Sequence, residues 1–94
     1  MTITVQSDAL MSATAFLSSE EMYRLGLEAS VEDEEGRSDL INAHKWFNLA
    51  AMMGNLEART YRAELSREMT AEEVAEAQRL AREYLSTHRP RMAG

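Results

Sequence analysis

The stretch Asp39–Ala58, DLINAHKWFNLAAMMGNLEA, carries the clearest structural signals in this 94-residue chain. Ser38 or Asp39 can cap the start of a helix here, and Gly54 can take the left-handed conformation that ends one. Between them, apolar residues recur at spacings of three and four, which places them on one face of a helix. Asn55 can cap a new helix at once, so the sequence predicts two helices joined by a tight turn.

The sequence on both sides of this stretch predicts further helices. Ser18 with Glu21 and Thr70 with Glu73 have capping-box spacing, in which each side chain accepts a hydrogen bond from the other residue's backbone amide. The acidic segment 32–36 repels itself and ends in glycine, which indicates a solvated loop between helices. We therefore predict an all-α chain of four helices.

The chain is predicted to hold one helical domain, over residues 18–88, because 94 residues are too few for two ordinary domains. Residues 1–17 form either a tail or an extra N-terminal helix, since their apolar residues recur at helical spacing from Leu10 onward. The last residues, 89–94, are predicted to be a C-terminal tail.

The composition excludes several classes of function. Sixteen acidic and ten basic residues give a net charge of −6, the wrong sign for a phosphate-binding surface, so we expect no nucleic-acid partner. The absence of cysteine excludes disulfides, thiolate catalysis and Cys-based zinc sites. Residues 1–17 lack the basic and apolar regions of a signal peptide, and no window has the ~18 to 20 apolar residues of a membrane span. We expect a cytoplasmic protein without a membrane partner.

Small residues recur where two helices would have to touch, and together with larger residues at fixed spacing they carry a resemblance to a known family. The positions are Leu25, Gly26, Asp39, Ala43, Trp46, Phe47, Ala50, Ala51, Gly54 and Ala58. Their order and spacing are similar to the Sel-one-like repeat family, relatives of tetratricopeptide repeats. The resemblance implies a short α-solenoid of antiparallel helix pairs, with one clear repeat over 21–58 and a divergent second pair over 55–86.

The predicted core follows from this pattern and from the helical spacing of the third and fourth helices. Over the first three helices it consists of Leu25, Gly26, Ala43, Trp46, Phe47, Ala50, Ala51, Gly54, Ala58, Tyr61 and Leu65. On the fourth helix the inner stripe is Val74, Ala77, Leu80, Ala81, Tyr84 and Leu85.

The resemblance implies a non-enzymatic adaptor that binds a protein or peptide partner. Solenoids usually need about three or more stacked repeats to bury their faces, and this chain has fewer. The shortage predicts dimerisation, an N-terminal capping helix or a stable complex with another protein. Among these we favour a homo-oligomer, as a dimer.

The candidate partner-binding surface lies on the first and third helices, which would line the inner groove of a repeat pair. Arginine beside an aromatic ring could clamp an acidic peptide or a carboxyl terminus. The competing interpretation is a mixed solvated face without a binding role. The candidate residues are Tyr23, Arg24, Leu27, Arg59 and Arg62.

Catalysis is not expected, because no set of nucleophile, base and orienting group is evident. His44 and Asn48 lie one helical turn apart, but we interpret His44 as a hydrogen-bonded or solvated surface histidine. We expect no cofactor and no metal. The alternative function is that of a small helical regulatory protein that holds a small molecule between its helices, and a core filled by aromatic side chains would argue against it.

Trp46→Ala tests the assignment of Trp46 to the core. Loss of a buried indole should lower the free energy of unfolding by about 3 to 5 kcal/mol. Thermal melts followed by circular dichroism measure the loss, and a melting temperature equal to that of the unmodified chain would contradict the assignment.

Overall fold

A computed structural model describes residues 16–88, and within them the chain forms four α-helices. The predictions of an N-terminal tail or extra helix and of a C-terminal tail fall largely on residues outside this range. In chain order the helices are α1 (Ser19–Ser30), α2 (Leu40–Met52), α3 (Leu56–Glu68) and α4 (Ala71–His88). The prediction of an all-α chain with four helices is confirmed for the described residues.

Both predicted capping boxes are formed. At α1, Ser18 Oγ accepts from the backbone N–H of Glu21 at 3.1 Å, and the Glu21 carboxylate accepts from the Ser18 N–H at 2.9 Å. At α4, Thr70 and Glu73 make the same two bonds, also at 3.1 and 2.9 Å. These bonds satisfy N–H groups that have no partner inside a helix, which is why α1 and α4 begin where the sequence predicts.

The turn between α2 and α3 depends on Gly54 and Asn55. Gly54 has a φ of +102°, a left-handed conformation that costs glycine little. Asn55 Oδ1 accepts from the Ala58 N–H at 2.8 Å and caps α3. At the start of α2, the cap is Asp39, whose carboxylate accepts from the Asn42 N–H at 3.1 Å. The sequence left open whether Ser38 or Asp39 takes this position, and the structure assigns it to Asp39.

Helix α2 is the central element, since it packs against each of the other three helices. Its partners meet different sides of it, so its buried arc is wider than a single amphipathic stripe. Hydrogen bonds join its His44 to Ser66 and its Asn48 to Arg62 on α3. These pairs run in opposite chain order, so α2 and α3 are antiparallel.

Most of the predicted core residues are at least partly buried. The partly buried members of the predicted set are Leu25, Trp46, Ala51, Val74, Leu80 and Leu85. The buried members are Gly26, Ala43, Phe47, Ala50, Ala58, Leu65, Ala77, Ala81 and Tyr84.

Two core predictions need correction. Tyr61 is 39% exposed, because it lies at the edge where its ring covers Phe47 from the solvent side. Gly54 is exposed in the turn, where its backbone conformation and not its burial is what the fold needs. Trp46 packs against the core as predicted but is only partly buried, with the Lys45 ammonium 4.2 Å from its ring centroid. The loss expected for Trp46→Ala therefore falls at the lower end of its range.

The structure also buries residues that the sequence pattern does not assign to the core. Met22 of α1 and Leu49 of α2 are each 1% exposed, and Met69, at the end of α3, is 8% exposed. His44, predicted at the surface, is 2% exposed. Leu49 and His44 lie outside the stripe expected of a helix with one buried face, and they are buried because α2 is covered by three neighbours.

Gly26 and Phe47 make the closest approach between α1 and α2. A Cβ atom placed on Gly26 would lie 2.6 Å from both Cδ1 and Cε1 of the Phe47 ring, far inside van der Waals contact. The Phe47 ring is fully buried and has little room to move away. Glycine at this position is therefore required by packing, since α1 is helical there and needs no special backbone conformation.

The two residues before the α1 cap, Phe16 and Leu17, pack against Tyr84 of α4. The Leu17 N–H donates to the Tyr84 hydroxyl at 3.1 Å, and the Phe16 ring centroid lies 5.9 Å from that of Tyr84. Trp46 meets the same ring edge-on, with 5.3 Å between centroids. Tyr84 thus connects the segment before α1 with α2 and α4.

We expect Gly26→Ala to lower the free energy of unfolding by about 1 to 3 kcal/mol, the usual cost of overpacking a core. A loss of stability would identify the clash with Phe47, because alanine in place of a helical glycine otherwise stabilises a protein by roughly 0.5 to 1 kcal/mol. Urea unfolding followed by circular dichroism measures the change.

Phe47→Leu in the Gly26→Ala background provides the control. Because leucine lacks the ring that meets the new Cβ, the double variant should lose less stability than the sum of the two single losses. Additive losses, or a more stable Gly26→Ala variant, would show that the Phe47 ring does not restrict this position.

Candidate functional site

A surface depression lies between α1 and α3, and we call it the tyrosine cleft. Its lining consists of Tyr23, Glu57, Thr60, Tyr61 and Glu64. Four of these residues come from α3 at spacings of three and four, so they occupy one face of that helix. The remaining wall is supplied by Tyr23 of α1.

The two tyrosines of the cleft are held by the core. The Tyr61 ring stacks on Phe47 with 5.2 Å between centroids and 16° between planes. Tyr23 is tilted against both, with centroids 5.9 Å from Phe47 and 6.0 Å from Tyr61. Such aromatic contacts each contribute about 0.5 to 1.5 kcal/mol beyond the burial of area. The exposed part of Tyr61 is therefore presented to solvent on a fixed support.

The cleft has a negative electrostatic character. Within residues 16–88, neither Glu57 nor Glu64 forms a salt bridge, whereas the paired carboxylates lie on the loop before α2 and on α4. Burial raises the pKa of Tyr23 above its ordinary value, and the negative charge of Glu57 raises it further. Tyr23 therefore stays protonated and can donate a hydrogen bond, beside two carboxylates that can accept one.

Of the five predicted site residues, only Tyr23 lines the tyrosine cleft. Arg24 is exposed, and Leu27 packs against the core. Arg59 lines a neighbouring depression on the outer side of α3. Arg62 donates from a guanidinium nitrogen to Asn48 Oδ1 at 2.6 Å, so its charge is directed toward α2. The structure thus does not gather these arginines around Tyr23.

The sequence contains one signal for the cleft, in the order of residues along α3. Glu57, Thr60, Tyr61 and Glu64 follow one another at helical spacing, which places two carboxylates and an aromatic ring on one face of that helix. The assignment of Tyr61 to the core conceals this face. The proximity of this face of α3 to Tyr23 depends on how α1 packs, and helical periodicity alone does not predict that packing.

A second polar group connects α2 and α3 inside the domain. Ser66 Oγ donates to the Arg62 carbonyl at 2.9 Å and lies 3.0 Å from His44 Nε2. The His44–Ser66 contact is a hydrogen bond between α2 and α3. His44 Nδ1 is buried and has no partner within the described residues.

This histidine and serine are better suited to structure than to catalysis. His44 Nδ1 has no partner within the described residues, so nothing there orients the imidazole as the third member of a catalytic triad would. Burial lowers the pKa of His44, and the positive charge of Arg62 lowers it further. The imidazole is therefore neutral near pH 7, and its bond to Ser66 connects α2 to α3.

The described part of the chain shows neither a metal-binding cluster nor a membrane-spanning helix. No group of three or more His, Asp or Glu side chains is placed to hold a metal ion in residues 16–88. None of the four helices there is both long enough and apolar enough to cross a lipid bilayer.

Comparison with known proteins found no matching family model, no matching curated protein and no matching solved structure. The resemblance to Sel-one-like repeats therefore rests on the residues of this chain alone. The assignment of the chain to that family stays a prediction.

His44 should make the stability of the domain depend on pH. Its pKa is lower in the folded state than the ordinary value of about 6.5, so below that pH the unfolded chain binds a proton that the folded chain does not. Stability is therefore complete above about pH 6.5 and falls as the pH decreases toward the folded pKa.

Urea unfolding between about pH 7.5 and 5.5 isolates this effect, because carboxyl groups ordinarily titrate near pH 4 and hydrogen bonds lower the pKa of Glu21, Asp33 and Glu76 further. His44→Gln should remove the loss of stability in this window. His88→Gln, which changes the other histidine, should retain it. Equal pH dependence in both variants would contradict the role given to His44.

Proposed function

We propose that this chain is a non-enzymatic interaction module of the Sel-like repeat type, which binds a protein or peptide partner and associates with a second copy of itself. The observation that carries the proposal is a group of exposed apolar side chains around the turn between α2 and α3. We call it the methionine corner, and it consists of Met52, Met53 and Leu56, which are 59%, 46% and 72% exposed.

The methionine corner is suited to association. Contiguous exposed apolar surface on a small domain marks interaction sites, and methionine adapts its shape to a partner. Gly54 and Asn55 hold the turn that carries these side chains, so the corner is presented by a capped, ordered segment. Covering it would remove apolar area from water, which is the main favourable contribution to association.

The repeat-like part of the proposal is supported by the first helix pair. Helix α1 packs closely against α2, as the two helices of one repeat would, whereas α3 and α4 each pack mainly against α2 and not against each other. Two pairs are fewer than the three or more repeats that usually stabilise such stacks. A second copy, docked at the methionine corner, would bury more apolar surface than the single chain can.

The alternative, a small molecule held between the helices, has less support. The Phe47 ring fills the space between α1 and α2 and stacks on Tyr61, and Leu49 is buried on the same helix. The depressions lined by described residues lie at the surface of α3 and beside the start of α1. A small molecule of the kind expected from the sequence would have to displace these core side chains.

Light scattering over a concentration series tests the proposal, and we expect the mass to approach that of a dimer as concentration rises. The double variant Met53→Gln/Leu56→Ser should raise the dissociation constant of the dimer at least about tenfold, because two large apolar contacts are lost. Circular dichroism checks that the variant keeps its helices.

Val31→Ser is the matched control, since Val31 is 67% exposed but lies in the loop after α1, outside the methionine corner. It should leave the dimerisation constant unchanged. A monomer at every concentration would refute self-association, and an equal effect of both variants would refute the place assigned to the interface.

A further inference from the structure

We infer that the tyrosine cleft binds an extended peptide segment that carries two cationic side chains, arginine or lysine, three residues apart. The inference concerns a surface other than the methionine corner, and it holds whether or not the chain associates with itself.

The two tyrosine rings of the cleft favour a cationic occupant. Tyr61 is 39% exposed, and Tyr23 is partly exposed beside it, although both rings contact the buried Phe47. Two phenol rings held at 6.0 Å offer faces on which a guanidinium or ammonium group is attracted by the ring quadrupole. Tyrosine supplies such contact area at a small cost in side-chain entropy.

The negative charge of the cleft also favours a cationic occupant. Glu57 and Glu64 flank Tyr61 on α3 and form no salt bridge with any residue of the described part. Along α3, Arg62 is bonded to Asn48, and Arg59 and Arg67 line the neighbouring depression, which Glu64 also borders without a salt bridge to either within the described residues. An occupant with positive charge would complement these carboxylates, and the net charge of −6 would speed its approach.

The spacing of the two carboxylates sets the spacing of the cations. Glu57 and Glu64 are seven residues apart on a helix, which corresponds to about 10 Å along its axis. In a peptide extended as a polyproline II helix, which has three residues per turn, side chains three residues apart lie on the same face about 9 Å from each other. One cation can therefore reach each carboxylate, with Tyr61 lying between the two positions.

This chemistry is the reverse of the one that the sequence suggested. An acidic peptide would need the candidate arginines beside Tyr23, and the structure places carboxylates there instead. Nucleic acid is disfavoured for the same reason, since its phosphates would be repelled by Glu57 and Glu64. A cationic polypeptide segment is the occupant that both the charges and the aromatic rings favour.

The probe for the test is a fluorescein-labelled peptide, Gly-Arg-Gly-Gly-Arg-Gly with an amidated end, titrated with the full chain and followed by fluorescence anisotropy. The same peptide with citrulline at both arginine positions keeps the shape and removes the charges. We expect saturable binding of the arginine peptide that is at least about tenfold tighter than that of the citrulline peptide, and that weakens as salt is raised.

Glu57→Gln/Glu64→Gln should weaken binding of the arginine peptide at least about tenfold, because both carboxylate contacts are lost. Glu32→Gln/Glu34→Gln is the matched control, since it also removes two negative charges, but from the exposed loop before α2. It should change affinity by less than about threefold, which is the expected size of a distant, screened effect. Glu64→Gln alone serves if the double variant loses helical content.

Tyr61→Leu tests the aromatic contribution separately. Leucine can still cover Phe47 but has no ring quadrupole, so affinity for the arginine peptide should fall while the helical content is retained. Unchanged affinity would refute the part assigned to the aromatic ring.

Equal weakening by the cleft pair and the loop pair would overturn the inference, because attraction would then follow net charge alone. Equal binding of the arginine and citrulline peptides, or binding of neither, would also overturn it. Light scattering on the same samples separates the two proposals, since a dimer that does not bind the arginine peptide contradicts only this inference.

Discussion

The packing of α1 on α2 and the position of the tyrosine cleft both depend on the contact between the Phe47 ring and the backbone of Gly26. The ring occupies the space that a side chain on α1 would take, so α1 and α2 approach more closely than two helices with ordinary side chains could. The same ring, on its solvent side, supports Tyr61 and touches Tyr23. One buried phenylalanine therefore sets both the distance between two helices and the floor of the tyrosine cleft.

Helix α3 is used differently on its two sides. Toward α2 it presents Arg62 and Ser66, which hydrogen-bond to side chains of the central helix. Toward α1 it presents Tyr61 between two carboxylates that form no salt bridge within residues 16–88. Because Arg62 is engaged by α2, it does not neutralise the opposite side, which keeps its negative charge. Packing between α2 and α3 thus decides the chemistry of a surface that it does not touch.

The helices and their ends could be predicted from the sequence, whereas the content of the cleft could not. Capping boxes and the glycine turn are local, because the residues that make them lie within a few positions of each other. The structure does not gather the five candidate binding residues in one place, since only Tyr23 lines the cleft. Tyr23 meets α3 through an aromatic contact between distant parts of the chain. Periodicity assigns a residue to a face of its own helix, but it does not say which neighbour that face meets.

The amino-acid sequence alone was enough to establish the number of helices in residues 16–88 and the turn at Gly54. Hydrogen bonds over three or four residues and the backbone freedom of glycine suffice for these features. The need for glycine at position 26 depends on the Phe47 ring that packs against it. The burial of His44, and the position of Tyr23 beside Glu57 and not beside an arginine, came from the packing of the folded chain. The reason is that α2 is enclosed by three helices, and the rotation of each helix about its axis is chosen by the packing of all of them together.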